Sequence, residues 1–232
     1  MEQENVLPEP EEKREIVQSM FDTIAPKYDL LNRLLTFRLD VRWRKKSLKT
    51  LALNPNSMVM DLACGTGDFA KELVKQGHTP LGIDLSLGML QSSPHDISLI
   101  QGDLLNLPIK NQTFDAAVCG FALRNLTDLK PFYEELFRTI KPGGRIALLD
   151  VSEPKNKFLR FGHKFYFNKV VPKIGSLLSD KQAYTYLPAS VTYLPEPEKM
   201  KQLLTESGFI DIDHQLFSGG ISQLYTATRQ NP

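Results

Sequence analysis

Cysteine is scarce in this chain: there are two among 232 residues, Cys64 and Cys119. That excludes a disulfide scaffold. Both fall at the ends of predicted strands, so reduced thiols and a cytoplasmic location are expected. No run of 18 apolar residues occurs, so no membrane-spanning helix is expected. Charge of one sign is lacking too, since 28 basic residues against 27 acidic ones leave a net +1. Nothing in that balance directs the chain to nucleic acid. The N-terminal stretch carries Glu2, Glu4, Glu9, Glu11 and Glu12 and has no apolar run after a basic start. It therefore reads as neither a secretory signal nor an Arg-rich transit peptide. No His, Cys and acidic residues stand at metal-ligand spacing, so no metal is expected. Internal repeats and low-complexity segments are absent.

What is present is an ordinary apolar content of 41%, enough for a sizeable core. Residues 1–10 read as a mobile tail, and 11–232 as a single domain with a helical cap over 11–52 and an insertion over 152–195. Ile16, Val17, Met20, Phe21 and Ile24 recur at helical spacing and predict a helix over about 11–25. Two more helices are expected over 28–37 and 40–52. Strands and helices then alternate: strand 58–62, helix 67–76, strand 79–84, a short helix near 86–91 and strand 97–101. Strand 114–121, helix 129–140, a turn at Lys141-Pro-Gly-Gly144 and strand 145–151 follow. A helical segment over 155–182 precedes helix 197–207, and strands 209–217 and 221–229 flank Gly219-Gly220 as a closing hairpin. Alternation of this kind predicts an α/β fold, a doubly wound, mostly parallel seven-stranded Rossmann-like sheet with right-handed crossovers.

The densest chemical signal is Val59-Met-Asp-Leu-Ala-Cys-Gly-Thr-Gly-Asp68, in which a strand ends in Asp61 and runs into the turn Gly65-Thr66-Gly67. Two further strands end in acids, at Asp84 and Asp103. Carboxylates at three strand tips suit a nucleoside with an amino-acid tail, and S-adenosylmethionine is that ligand. Gly65-x-Gly67-x-x-Ala70 also fits the dinucleotide fingerprint, with Asp84 near the ribose-binding distance. Two considerations favour the first reading. A pyrophosphate would meet Asp61 and Asp68 beside the turn, whereas the ammonium of a methionine tail would be attracted there. Asp103 adds an acid for the adenine amine. Ser86 reads as the cap of the following helix, leaving Asp84 free for ribose. Met89 and Leu90 are candidates for the adenine wall.

Charge is uneven locally. Residues 155–179 hold Lys155, Lys157, Arg160, Lys164, Lys169 and Lys173 and no acid, interleaved with Phe158, Phe161, Phe165, Tyr166 and Phe167. Two readings stand: an amphipathic helix with a solvated basic face, or contact with an anionic membrane surface or a lipidic substrate tail.

Segments outside the glycine loop carry a resemblance. Phe21-Asp-x-Ile-Ala-Pro-Lys-Tyr-Asp-Leu-Leu-Asn32, Phe121-Ala-Leu-Arg-Asn-Leu-Thr-Asp128, Tyr184-x-Tyr-Leu-Pro-x-Ser190 and Gly219-Gly-Ile221 resemble signatures of the ubiquinone/menaquinone biosynthesis C-methyltransferase family. Lys141-Pro-Gly-Gly-Arg145 does so less specifically. The resemblance spans about residues 15–228. It departs in Phe-Ala-Leu-Arg, where the family more often has Phe-Gly-Leu-Arg, and in a shorter stretch between Asp84 and Asp103.

The resemblance implies a class I S-adenosylmethionine methyltransferase acting on a ring carbon of a polyprenylated quinol, demethylmenaquinol or the benzoquinol of the ubiquinone pathway. It implies cofactor contacts at Thr66, Asp84, Asp103, Leu104 and Gly120, a glycine loop of Asp61, Gly65 and Gly67, and a catalytic role for Arg124. Tyr28, Phe121, Asn125, Tyr166 and Tyr184 are candidate substrate and lid residues, with His163 and Tyr186 beside them. Peripheral contact with the inner face of a membrane is expected, and nucleic acid is not. Homodimers through the final hairpin edge or the N-terminal helices stay open, as do O- or N-methylation of a soluble molecule and a non-catalytic cofactor-binding module. A phenol ionises near pH 10, so a cation that stabilises phenolate would help. Arg124 fits that role better than that of a base.

Overall fold

The computed structural model describes residues 10–94, 96–171, 190 and 193–231. Three helices come first: α1 (Pro10–Ile24), α2 (Tyr28–Leu35) and α3 (Leu39–Thr50), with a 3₁₀ turn, Ala25–Lys27, joining the first two at Pro26. The alternating region follows as β1 (Met58–Leu62), α4 (Asp68–Lys75), β2 (Thr79–Asp84), α5 (Leu87–Gln91), β3 (Ser98–Gln101), β4 (Phe114–Gly120), α6 (Leu129–Thr139) and β5 (Ile140–Val151). Next are α7 (Lys157–Phe165), a π-helical turn Tyr166–Val170, α8 (Pro197–Glu206) and the antiparallel pair β6 (Phe209–Phe217) and β7 (Ser222–Arg229). The described strands form one seven-stranded sheet in the order β3-β2-β1-β4-β5-β7-β6. β3, β2, β1, β4 and β5 run parallel, and β7 pairs antiparallel with both β5 and β6.

Side chains two apart on a strand share a face, and each central strand serves both faces. Met60, Leu62, Ala117, Cys119, Ile146 and Leu148 meet Phe132, Tyr133 and Leu136 of α6 and Met200 and Leu204 of α8. Val59, Ala116, Val118, Ala147 and Leu149 meet Trp43 and Leu48 of α3 and Phe69 and Leu73 of α4. Both cysteines are buried and free. The polypeptide reverses between β1 and β4, the topological switch point where ligands of open α/β sheets bind. A third apolar cluster, Ile24, Ala25, Leu31, Met89 and Val171, joins the N-terminal cap to α5 over those strand ends.

Two sequence expectations change. Lys141–Gly144 is not a free turn but a bulge inside β5, where the register on β4 jumps from Phe114–Ile140 to Ala116–Arg145. Gly143 adopts φ +75°, and a Cβ on Gly144 would collide with Ile140 Cγ2 and lie 2.6 Å from the Asp115 carbonyl oxygen, so both glycines are required there. The helix expected over 155–182 ends as an α-helix at Phe165 and widens into the π-turn Tyr166–Val170; residues 172–182 lie outside the described residues. Ser86 caps α5 as expected, accepting from the Met89 amide at 3.1 Å.

Candidate active site

A cavity of about 120 Å³ opens at the tips of β1, β2, β3 and β4. Gly65, Asp84, Met89, Asp103, Leu104 and Gly120 line it together with Tyr28, Phe121 and Asn125. Asp61, Thr66 and Gly67 are not among its lining residues. Asp61 is 1% exposed and faces under α4, where Oδ2 accepts from the Ala70 amide at 2.9 Å. Burial pushes its carboxyl up to about 7. Thr66 Oγ1 donates to Asp29 at 2.5 Å, and Gly67, at φ +82°, starts α4 with its Cα against Ser93.

The glycine-loop charges differ from the sequence expectation. Asp68 is not bare: Arg33 Nη2 donates to it at 2.6 Å, and Arg44 Nη1 lies 3.2 Å away. Burial would raise its pKa, but Arg44 and Arg33 outweigh burial and hold the carboxyl below the usual range. Repulsion by these two acids is therefore a weak argument against a pyrophosphate. The geometry supplies a better one. A dinucleotide phosphate seats on free amides at a helix N-terminus, and here Asp61 already occupies the Ala70 amide.

Asp84 sits at the tip of β2 with Oδ2 accepting from the Gly65 amide (2.7 Å) and Oδ1 from the Ser86 amide (2.9 Å). Burial raises its pKa against the pull of those amides. Asp103 accepts from the Leu105 amide and faces Arg14 at 3.3 Å. Gly120 is glycine because a Cβ would lie 2.7 Å from the Phe69 ring.

Sequence reasoning missed the residues of α1 that cross the strand tips. Arg14 reaches Asp103, Gln18 donates to the Leu85 carbonyl at 3.3 Å, and Asp22 accepts from Ser86 Oγ (2.5 Å) and the Gly88 amide (2.9 Å). Asp22 stood in the Phe21–Asn32 motif, but its partner 64 residues away left no local trace.

A second cavity, of about 560 Å³, adjoins the first. Its wall is mainly apolar: Met20, Ile24, Leu35, Leu39, Trp43, Val151, Tyr166, Val171 and Ile221, with Arg124 and His163 among the polar exceptions. Phe21, Tyr28 and Phe121 line both cavities, so three aromatic rings form the junction. Phe21 and Tyr28 pack edge-on at 5.9 Å, and Phe121 lies 6.2 Å from Trp43. Burial raises the Tyr28 phenol pKa, opposed by Arg44 and Arg124. Burial lowers that of His163. Phe37, Phe158 and Phe161 stand at the outer rim, 75%, 91% and 77% exposed. Tyr184 and Tyr186 lie outside the described residues.

Arg124 sits in the 3₁₀ turn Leu123–Asn125 and is 6% exposed. Its Nη1 donates to the Phe121 carbonyl (2.8 Å) and to Asp150 Oδ1, and its Nε donates to Ser190 Oγ (3.1 Å). Phe121 itself takes φ +64°, a left-handed conformation rare for an aromatic residue. Among the described residues no group of three or more His, Cys, Asp and Glu is placed to hold a metal ion. No helix among them is long and apolar enough to cross a membrane.

Comparison with known proteins gives a consistent picture. The model of the ubiE/COQ5 methyltransferase family matches residues 9–229. The demethylmenaquinone methyltransferase of Roseiflexus castenholzii is 36% identical, over 97% of this chain and 98% of that protein. The ubiquinone/menaquinone biosynthesis C-methyltransferase UbiE of Syntrophotalea carbinolica is 39% identical, over 92% and 94%. Among solved structures, an Aquifex aeolicus SAM-dependent methyltransferase shares the fold with TM-score 0.62 and 16% identity, over 87% of this chain and 97% of that one. Phosphoethanolamine N-methyltransferase 2 of Haemonchus contortus, solved with S-adenosyl-L-methionine, aligns with TM-score 0.60 and 14% identity, over 81% and 52%.

Proposed function

The chain belongs to the ubiE/COQ5 methyltransferase family, and from that premise we propose that it transfers a methyl group from S-adenosylmethionine to a ring carbon of a polyprenylated quinol, demethylmenaquinol in the first instance. The observation that carries the reading is the pair of unlike cavities meeting at Phe21, Tyr28 and Phe121: one lined by acids at strand tips, the other larger and mainly apolar. The donor set of the smaller cavity fits the cofactor. Asp84 suits the ribose hydroxyls, Asp103 the adenine amine, and Met89 and Leu104 the faces of the base. When bound, S-adenosylmethionine supplies an electrophilic methyl group. The larger cavity suits a quinol ring with the start of its isoprenoid tail, whose burial contributes about 25 cal/mol per Å² of apolar surface.

Within this reading Arg124 faces the acceptor and favours its hydroxyl in the ionised form, which raises electron density at the neighbouring carbon. As a guanidinium it stabilises that anion and orients a water rather than taking the proton itself. The aromatic junction and α1 exclude bulk water, which strengthens such electrostatic contacts. Labelled methyl transfer to a demethylmenaquinol analogue under reducing conditions, beside a demethoxy benzoquinol analogue, tests the function. Label on a ring carbon supports it. Cofactor binding without label on either quinol would move the acceptor to a soluble molecule.

Peripheral membrane contact belongs to the same proposal. Helix α7 buries none of its residues and presents Phe158, Phe161 and Phe165 to the exterior, with Lys157, Arg160 and Lys164 between them. Exposed aromatics beside basic residues suit the interface of an anionic bilayer. Replacing the three phenylalanines by serine is expected to lower co-flotation with anionic vesicles by more than ~10-fold, from the apolar area removed. Unchanged flotation of the triple variant would remove α7 from the contact.

A further inference from the structure

Asp150, at the C-terminal end of β5, belongs to none of the motifs and lines neither cavity, yet it makes the most concentrated set of contacts around Arg124. Its Oδ1 accepts from Arg124 Nη1 and from the Val151 amide (2.7 Å), and its Oδ2 accepts from the Arg124 amide (3.3 Å). One carboxylate thus holds both the main chain and the side chain of the same arginine. Asp150 is 1% exposed, and the pair is shielded from salt and water. Lys13 Nζ, on α1, donates to the carbonyls of Arg124 (3.2 Å) and Leu126 (2.8 Å). The turn so held follows the left-handed Phe121, a conformation that persists only where its surroundings impose it.

We propose that Asp150 is the positioning residue for Arg124: it fixes the turn and aims the guanidinium along the wall of the acceptor cavity without itself touching acceptor or cofactor. This rests on the assignment of Arg124 to the acceptor. Removing an outer partner that orients a metal ligand typically costs 10–100-fold in affinity or activity, and an arginine oriented by one carboxylate is expected to follow a similar scale. Asp150→Asn is therefore expected to lower kcat by roughly 10–100-fold, leaving the cofactor Kd unchanged. Asp150→Glu, which keeps the charge, is expected to recover part of the loss.

A mutant cycle distinguishes positioning from mere support. If Asp150 acts through Arg124, then in an Arg124→Lys background, which keeps the charge opposite the carboxylate, Asp150→Asn costs no further kcat. Equal losses in both backgrounds, or full kcat in Asp150→Asn, overturn the proposal. Should Asp150→Asn fail to fold, Asp150→Glu gives the same decision: lowered kcat with normal cofactor affinity supports it, and full kcat overturns it. Nitrogen-15 NMR of the arginine side chains provides a readout independent of the acceptor. Slow guanidinium rotation at Arg124 is expected in the parent protein, and fast averaging in Asp150→Asn. Unaltered Arg124 signals overturn the proposal. Full kcat in Arg124→Lys would instead bring down the acceptor assignment, and Asp150's positioning role with it.

Discussion

Arg124→Lys is expected to lower turnover by ~100-fold, the scale seen when one donor to a developing oxyanion is lost, while S-adenosylmethionine binds as before. The guanidinium donates from Nη1 to Phe121 O and Asp150 and from Nε to Ser190 Oγ, so its plane is fixed by groups on three segments. A lysine ammonium keeps the charge that Asp150 needs but is a point donor on a flexible stem and cannot meet this set while facing the acceptor. Keeping the charge matters for interpretation. Arg124→Ala would strand a buried carboxylate, at about 3–5 kcal/mol of stability, and would confound catalysis with folding. None of the Arg124 side-chain contacts is made to Gly65, Asp84 or Asp103, and the one to a residue of the cofactor cavity is to the Phe121 main-chain carbonyl, so cofactor affinity should change little. Single-turnover kinetics with saturating cofactor separates the two quantities. Full turnover in the lysine variant would reduce Arg124 to a residue that pins its loop through Phe121 O.

Much of the frame was legible because it obeys local rules. β1 and β2 match their sequence spans at both ends, since apolar strands there stop at a glycine turn and at Asp84-Leu85-Ser86. The strand-tip logic also placed Asp84, Asp103 and Gly65 around one cavity. Asp61 and Thr66 do not line that cavity, because a side chain at a strand end or in the turn after it can point under the next helix as readily as into the cleft, and only packing decides. Asp61 turned to the Ala70 amide, and Thr66 to Asp29 on α2. The same logic would have found Asp150, another acid at a strand tip, had it not lain outside the glycine-loop half of the sheet. The bulge at Lys141–Gly144 was misread because its two glycines carry the same local signal in a turn and in a strand irregularity. The contacts of α1 with Leu85, Ser86 and Asp103 are long-range side-chain choices with no periodicity to betray them.

Asp84→Ala is expected to weaken S-adenosylmethionine binding by ~100-fold or more, because a half-buried carboxylate accepting from two ribose hydroxyls contributes roughly 1.5–3 kcal/mol per charged hydrogen bond. The loss has a second source on the protein side. Asp84 ties the Gly65 amide to β2 and the Ser86 amide to the start of α5, so its removal frees the glycine loop and the α5 cap together. Asp84→Asn separates the two: its amide oxygen can keep one of these contacts but no longer carries the charge. Burial raises the Asp84 pKa, so in the free protein the proton binds at a higher pH than on an ordinary aspartate. The sign follows. The ionised form is the acceptor of hydroxyl donors, so cofactor affinity is full above the raised pKa and falls as pH drops through it, with proton release on binding in that window. Isothermal titration calorimetry in buffers of different ionisation enthalpy, at several pH values, measures both affinity and proton release. Asp84→Asn should bind weakly and without this pH dependence. An Asn variant that binds like the parent across the whole range would remove Asp84 from the ribose and leave it a loop tie alone.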